Sequence, residues 1–360
     1  MPSRLPLLVS IALILGVALV VTSADPMACA HAAEVAPLPQ HLADTGLFLP
    51  GSTTVRTENV AFSPQYPLWS DGAGKRRWLS IPPGSFIDAT RPDAWEFPRG
   101  TRLWKEFAYG TRKVETRFIE RLADGSWRFA AYVWNEEQTD AVLAPFAGVA
   151  SVPVANAPRG RYVIPAEADC RSCHEGAAVP VLGASALQLS PDRDPLAPHA
   201  GPADIAGIDL RGLVAREWLR NLPHEMLEQP PRIAASSPVE RAALGYLHAN
   251  CGHCHNAGDA PVPVGLVLAQ ETALSAASTD RVLRSMLSVA SRFRSRAAPG
   301  ATQIAVPGHA DASVLAVRMR SRNPFVQMPP LGTRIADAES LALIEQWIDH
   351  ALQSPTEKAR

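Results

Sequence analysis

The chain has few cysteines, few aromatic residues and almost no net charge. Five cysteines and 6% aromatics occur in 360 residues. So small a number of thiols excludes a disulfide-stapled scaffold. Thirty-four basic side chains oppose thirty-five acidic ones, a formal net charge of −1, which speaks against nucleic acid as a partner. No histidine occurs between His41 and His174, and no cysteine between Cys29 and Cys170. That stretch cannot hold a His-ligated metal centre or a Cys- or His-based catalytic site of its own. What is abundant is proline, 33 residues, which implies many turns and few very long helices. Apolar residues make up 47% and charged residues 19%, enough for a sizeable core and too apolar for wholesale disorder. At about 100–200 residues per domain, the length suggests two domains or three.

Arg4 precedes a seventeen-residue apolar run, Leu5–Val21, followed by small residues. A positive start, an apolar stretch and small residues read as a secretory signal over residues 1–32, with cleavage after Ala24, Ala30 or Ala32. The expected location is the periplasm, or another exported compartment of a bacterium. If this segment is retained, it is a short anchor interrupted by Pro6 and Gly16 and associates the protein with a membrane. Lipidation of Cys29 is a third reading, although Pro26-Met27-Ala28 is a poor lipobox. Ala141–Ala157 is also uncharged, but Pro145 and Pro153 make it strand and loop instead of a span.

Four cysteines remain beyond the leader, and all of them fall in two motifs. These are Cys170-Arg-Ser-Cys173-His174 and Cys251-Gly-His-Cys254-His255. Both are C-x-x-C-H, the attachment pattern of c-type haem. Composition alone yields roughly 0.002 such matches per chain. Two thiols one turn apart can add to the two vinyl groups of a porphyrin, and the adjacent imidazole then ligates the iron. Zinc or a simple disulfide are the competing readings. Paired C-x-x-C zinc sites, however, are usually spaced by ~12–20 residues, whereas 77 residues separate Cys173 from Cys251. Two haems c are therefore expected. Cys170, Cys173, Cys251 and Cys254 would be the attachment points, and His174 and His255 the iron ligands.

The second motif sits in a readable context. Ser237-Pro238-Val239-Glu240 is a capping box with proline at the first helical position. The predicted helix runs through Arg241–Asn250 into Cys251. Small Ala243 on it would let another helix cross closely. A closing helix capped by Asp337 carries Leu341, Ile344, Trp347, Ile348 and Ala351 at helical spacing. Gln327-Met328-Pro329-Pro330 precedes it, with Met328 73 residues after His255. This arrangement over residues 237–354 resembles a small single-haem cytochrome c domain. The resemblance implies Met328 as the sixth ligand opposite His255, with Met319 on a predicted helix Val314–Arg320 as the alternative. His253 is expected to point outward and not to bind iron.

Residues 166–236 read as a linker segment around the first motif. Arg161–Pro165 looks like a strand, Ala166–Asp169 like a loop, and Leu210–Leu222 like a helix. Met226, His224 and His199 are the candidate sixth ligands of the first haem, with Met286 a weaker one and an open position a further reading.

Residues 42–165 read as a β-rich, β-sandwich-like domain. Lys75–Ser80, Thr101–Tyr109, Arg112–Arg121 and Ser126–Asn135 are rich in aromatic and β-branched residues, and Ala123-Asp124-Gly125 is a hairpin turn. Trp69, Trp78, Trp104 and Trp134 are expected in the core. Lys75, Arg76 and Arg77 read as a solvated cluster, with haem propionates or an acidic partner as other readings. Tyr66-Pro67-Leu68-Trp69-Ser70-Asp71-Gly72 resembles a group of exported bacterial proteins in which a β region precedes paired C-x-x-C-H motifs and a Met-Pro-Pro loop. That likeness implies a cytochrome-c-like protein but no substrate.

The fold class expected is thus multi-domain, a β-sandwich-like part followed by a mostly α, cytochrome-c-like part. The expected function is electron transfer between redox partner proteins. The alternative is a di-haem oxidoreductase, such as a peroxidase, with an accessible first haem.

Overall fold

Aromatic and β-branched segments in the N-terminal half build one antiparallel sheet. In the computed structural model, which describes residues 36–201, 207–258 and 264–352, the first strands are β1 (Val60–Ala61), β2 (Gly74–Ser80), β3 (Ile87–Asp88) and β4 (Arg102–Tyr109). They are followed by β5 (Arg112–Arg121), β6 (Trp127–Trp134) and β7 (Ala141–Leu143). Six of them form the sheet, in the order β1-β2-β4-β5-β6-β7. Gly110 takes φ +59° in the two-residue turn between β4 and β5, a conformation glycine adopts without steric cost. The sequence-predicted leader, its cleavage sites and Cys29 lie outside the described residues.

Successive side chains of each strand point to opposite faces, and the two faces differ. Trp78, Trp104, Phe118, Tyr132 and Trp134 lie on the outer face, packed with Leu42, Leu47 and Phe48. The inner face carries Phe107 and Ala131, covered by the ribbon of β8 (Val149–Pro153) and β9 (Arg161–Ile164). The described residues thus hold one large sheet and two-stranded additions. They do not hold two stacked sheets of similar size.

α1 (Glu167–His174) contains the whole first motif. The loop expected over Ala166–Asp169 is instead its first turn, because Asp169 accepts a hydrogen bond from the Ala166 backbone N–H. Further on, α2 covers only Leu210–Ala215. The helix expected to reach Leu222 stops early, at a turn where Glu217 takes φ +57°. Leu219–Arg220 then becomes β10 and pairs in parallel with β3. α3 (Glu225–Glu228) completes this segment.

The C-terminal part is helical. α4 (Pro238–Cys251) starts where Ser237 Oγ accepts from Glu240 N (3.1 Å), and Glu240 returns a bond to the neighbouring Ser236 N (2.9 Å). α5 (Ser275–Met286), α6 (Val314–Arg320) and α7 (Ala338–Gln346) follow. Asp337 caps α7 by accepting from Ser340 N. Ala243, Leu244, Leu247, Val282, Ile344, Trp347 and Ile348 form the shared core of these helices. None of the described helices is long and apolar enough to cross a membrane. The described residues from Pro37 onward form one compact unit.

Candidate functional site

The short segment Tyr66–Asp71 joins the sheet to the second motif. A Cβ at Gly245 would lie 2.0 Å from the Tyr66 ring, so only glycine lets this ring lie flat on α4. Asn250, buried directly before Cys251, accepts from Trp69 N (2.7 Å) and donates to the Pro67 and Tyr246 carbonyls (3.3 and 3.1 Å). The Asp71 carboxylate accepts from Arg334 N (2.9 Å) and Ile335 N (3.1 Å), beyond the Met-Pro-Pro loop. One stretch of chain thereby holds both ends of the second site. Trp69, expected in the core, is instead half-buried and stacks on His199 with ring centroids 4.7 Å apart.

Cys251, Cys254 and His255 line an open-mouthed cavity of about 210 Å³. Met319 and Met328 line the same cavity. They differ in packing: Met319 is buried in the helical core, whereas Met328 is half-buried outside it. Arg318 positions the Met328 loop, its carbonyl accepting from Met328 N (3.0 Å) and its Nε donating to the Val326 carbonyl (2.8 Å). Burial pushes the Cys251 thiol up to about 12, and the His255 imidazole down. His255 Nδ1 is buried without a hydrogen-bond partner.

His253 does not point outward. It lines the cavity, its Nδ1 is buried without a partner, and burial lowers its pKa to about 4. The reason is that the second motif is covered by the first. Asn256 Nδ2 donates to the Gly176 carbonyl (3.0 Å), tying the residues after one motif to those after the other. Cys254 opposes the ionisation of Cys173, adding to the burial that pushes that thiol to about 11.

The first motif lies on the inner face of the sheet. His174 stacks near Phe129, ring centroids 5.2 Å apart, and the Arg171 guanidinium covers the same ring. His174 Nδ1 lies 2.6 Å from the Pro180 carbonyl oxygen. A carbonyl can only accept, so the proton sits on Nδ1 and the Nε2 lone pair stays free. Burial depresses this imidazole to about 3, so it is neutral, the form that ligates metal.

The proposed sixth ligands of the first site fare differently. His199 has both ring nitrogens engaged, Nε2 with Asp337 (2.9 Å) and Nδ1 with Glu339 (3.3 Å). His224 is exposed beside Glu228. Met286 is buried among the C-terminal helices. Only Met226 shares an apolar cluster with Val179 and Val181, the chain just after His174.

Among the described residues no group of three or more His, Cys, Asp or Glu is placed to hold a metal ion on its own. The four thiols are raised in pKa by burial, opposite to thiolates that bind zinc or attack disulfides. At the second motif neutral thiols, the His255 imidazole and two thioethers line one largely apolar cavity, and at the first His174 offers a neutral imidazole with a free lone pair; both sets fit a covalently attached haem.

Sequence reasoning missed the cations on the inner face of the sheet. Arg77 is buried and Lys75 half-buried, so the three do not form a solvated cluster; Arg76 is the exposed one, paired with Glu106. Burial, then the neighbouring Arg77, lowers Lys75 to about 7. Lys105 and Arg117 stand beside them. The signal was the inner-face parity of Arg77, Lys105 and Arg117, which matters only once the strand register is known. Comparison with family models, with curated proteins and with solved structures finds no match.

Proposed function

We propose that this chain is an exported electron-transfer protein carrying two covalently attached haems c. The observation that carries the proposal is the adjacency of the two C-x-x-C-H motifs, joined through Asn256 and Gly176. Bound haem supplies one-electron cycling between Fe(III) and Fe(II), tuned by axial ligand, burial and nearby charge. Cys170 and Cys173, and Cys251 and Cys254, hold the two groups. His174 and His255 provide one nitrogen each, and Met328 provides a soft donor that favours Fe(II). Contact between the motifs gives electrons a short path inside one chain. The helical part then acts as a cytochrome-c-like domain, and the sheet as a β-sandwich-like support that walls the first site. Donor and acceptor are proteins of the periplasm.

The reading as a di-haem oxidoreductase, such as a peroxidase, rests on a separate observation. His199 is sequestered by Asp337 and Glu339, which leaves Met226 as the internal candidate for the first sixth position. Spectra of the exported, reduced protein with and without carbon monoxide test both readings. An unchanged spectrum supports an electron carrier with both irons saturated. Gas binding at one haem supports the oxidoreductase. A protein without a Soret band rejects both.

A further inference from the structure

The inner face of the sheet carries a row of cations. Arg77 on β2 lies opposite Lys105 on β4, and Lys105 lies opposite Arg117 on β5. Like charges in direct register repel and destabilise a sheet. Only one of the three is neutralised by the chain. Glu115 holds Arg117 through two bonds (2.8 and 3.1 Å) and accepts the Tyr162 hydroxyl (2.7 Å), so its carboxylate is fully used. Among the described residues neither Arg77 nor Lys105 has a carboxylate within ion-pair distance. The Lys105 ammonium has only the Phe107 ring, 4.9 Å from its centroid. Arg77 is 6% exposed and, with Lys75, lines a second cavity of about 650 Å³ along the edge of β2. An unpaired cation at such depth costs several kcal/mol, a cost that an anion seated there removes.

The row also has a definite place. Ala131 on β6 lies opposite Arg117, and Phe129, two residues along on the same face, carries the His174 ring and the Arg171 guanidinium of the first motif. The row therefore shares the inner face with the first motif.

We propose that Arg77 and Lys105, backed by Arg117, form a carboxylate-binding site on the inner face of the sheet, the face that also holds the first C-x-x-C-H motif. The planar guanidinium matches a carboxylate with two parallel bonds, and the ammonium adds a point charge. Such a carboxylate has two sources: a propionate of an attached haem, or a free small carboxylic acid admitted beside it. The first source rests on the haem reading above; the second does not.

The test uses the full-length exported protein, with haem counted first on the same sample. R77M and K105M keep the apolar stems and remove the charges, and R77K and K105R restore them. Haem carboxylates are labelled by feeding ¹³C-carboxyl aminolevulinate, and reduced-minus-oxidised infrared spectra are recorded. A labelled carboxylate band that moves in R77M and K105M, and returns in the Lys and Arg variants, assigns the site to a propionate. If that band does not move, equilibrium dialysis against radiolabelled acetate decides. One saturable acetate per chain, weakened at least tenfold in R77M and K105M, assigns the site to a free acid. An unmoved band together with no saturable acetate overturns the proposal. A haem count of zero rejects the haem reading alone, because the dialysis still decides the site. If one Met variant fails to export, the other variant and the wild-type dialysis carry the test.

Discussion

Replacing Asn250 by alanine is expected to loosen the second site without touching a cysteine, histidine or methionine. Asn250 is 3% exposed and spends its whole side chain on three backbone groups: Trp69 N, the Pro67 carbonyl and the Tyr246 carbonyl. The bond from Trp69 N is the shortest, at 2.7 Å, and the bond to the Pro67 carbonyl, at 3.3 Å, the longest. A net hydrogen bond contributes about 0.5–1.5 kcal/mol, and a donor left buried without a partner costs about 1–3 kcal/mol. The expected loss for Asn250→Ala is therefore about 2–4 kcal/mol. It is read as a lower midpoint in urea unfolding at constant slope. Asn135, which caps an exposed turn, serves as the control, with a loss below about 1 kcal/mol on substitution by alanine. The same variant frees Trp69, which lines the cavity of the second motif, so the absorbance of that site changes as well. A loss under 0.5 kcal/mol with an unchanged spectrum would refute the view that the Tyr66–Asp71 segment clamps the site.

Met328→Ala is expected to abolish a thioether–iron charge-transfer band and lower the midpoint potential, while Met319→Leu, a volume-conserving change in the core, leaves the band in place; the reverse result reassigns the ligand. Gly245→Ala places a methyl where the Tyr66 ring lies, and the overpacking of about 1–3 kcal/mol exceeds the helix-propensity gain of about 1 kcal/mol. A variant more stable in urea than wild type would contradict that close approach. Burial, then the charge of His253, lowers His248 to about 4 from an ordinary 6.5, so the unfolded chain binds its proton first. Its contribution to stability is complete above pH 6.5 and is lost as pH falls from 6.5 toward 4, at about 1.36 kcal/mol per pH unit. In His248→Gln the slope of stability against pH between 6 and 5 should shrink by that amount, and an unchanged slope would contradict the burial of a neutral ring.

The strands and the late helices are readable from local signals. Thr101–Tyr109 and Arg112–Arg121 are rich in aromatic and β-branched residues, and α4 and α7 are announced by Ser237 and Asp337. Local pattern fails where distant pairing decides. Leu219–Arg220 looked like the end of a helix and became a strand because Ile87–Asp88 offers it a partner. Ala166–Asp169 looked like a loop because neither proline nor a Ser/Thr cap marks the turn. The four cysteines and two histidines of the motifs were visible from spacing alone, but their adjacency was not, since 77 residues intervene. Lys75 and Arg77 misled for the same reason. Lys75, Arg76 and Arg77 look like one solvated cluster until the register turns Arg77 to the inner face beside Lys105 and Arg117. His253 was expected outside because a motif read in isolation has no neighbour to cover it.

Covalent haem at both motifs is measured directly by intact-protein mass with a haemochrome count. The exported wild type should carry two haems. C170A/C173A and C251A/C254A should each carry one, at the remaining motif. A wild type with the mass of the bare polypeptide and no haemochrome band would contradict it.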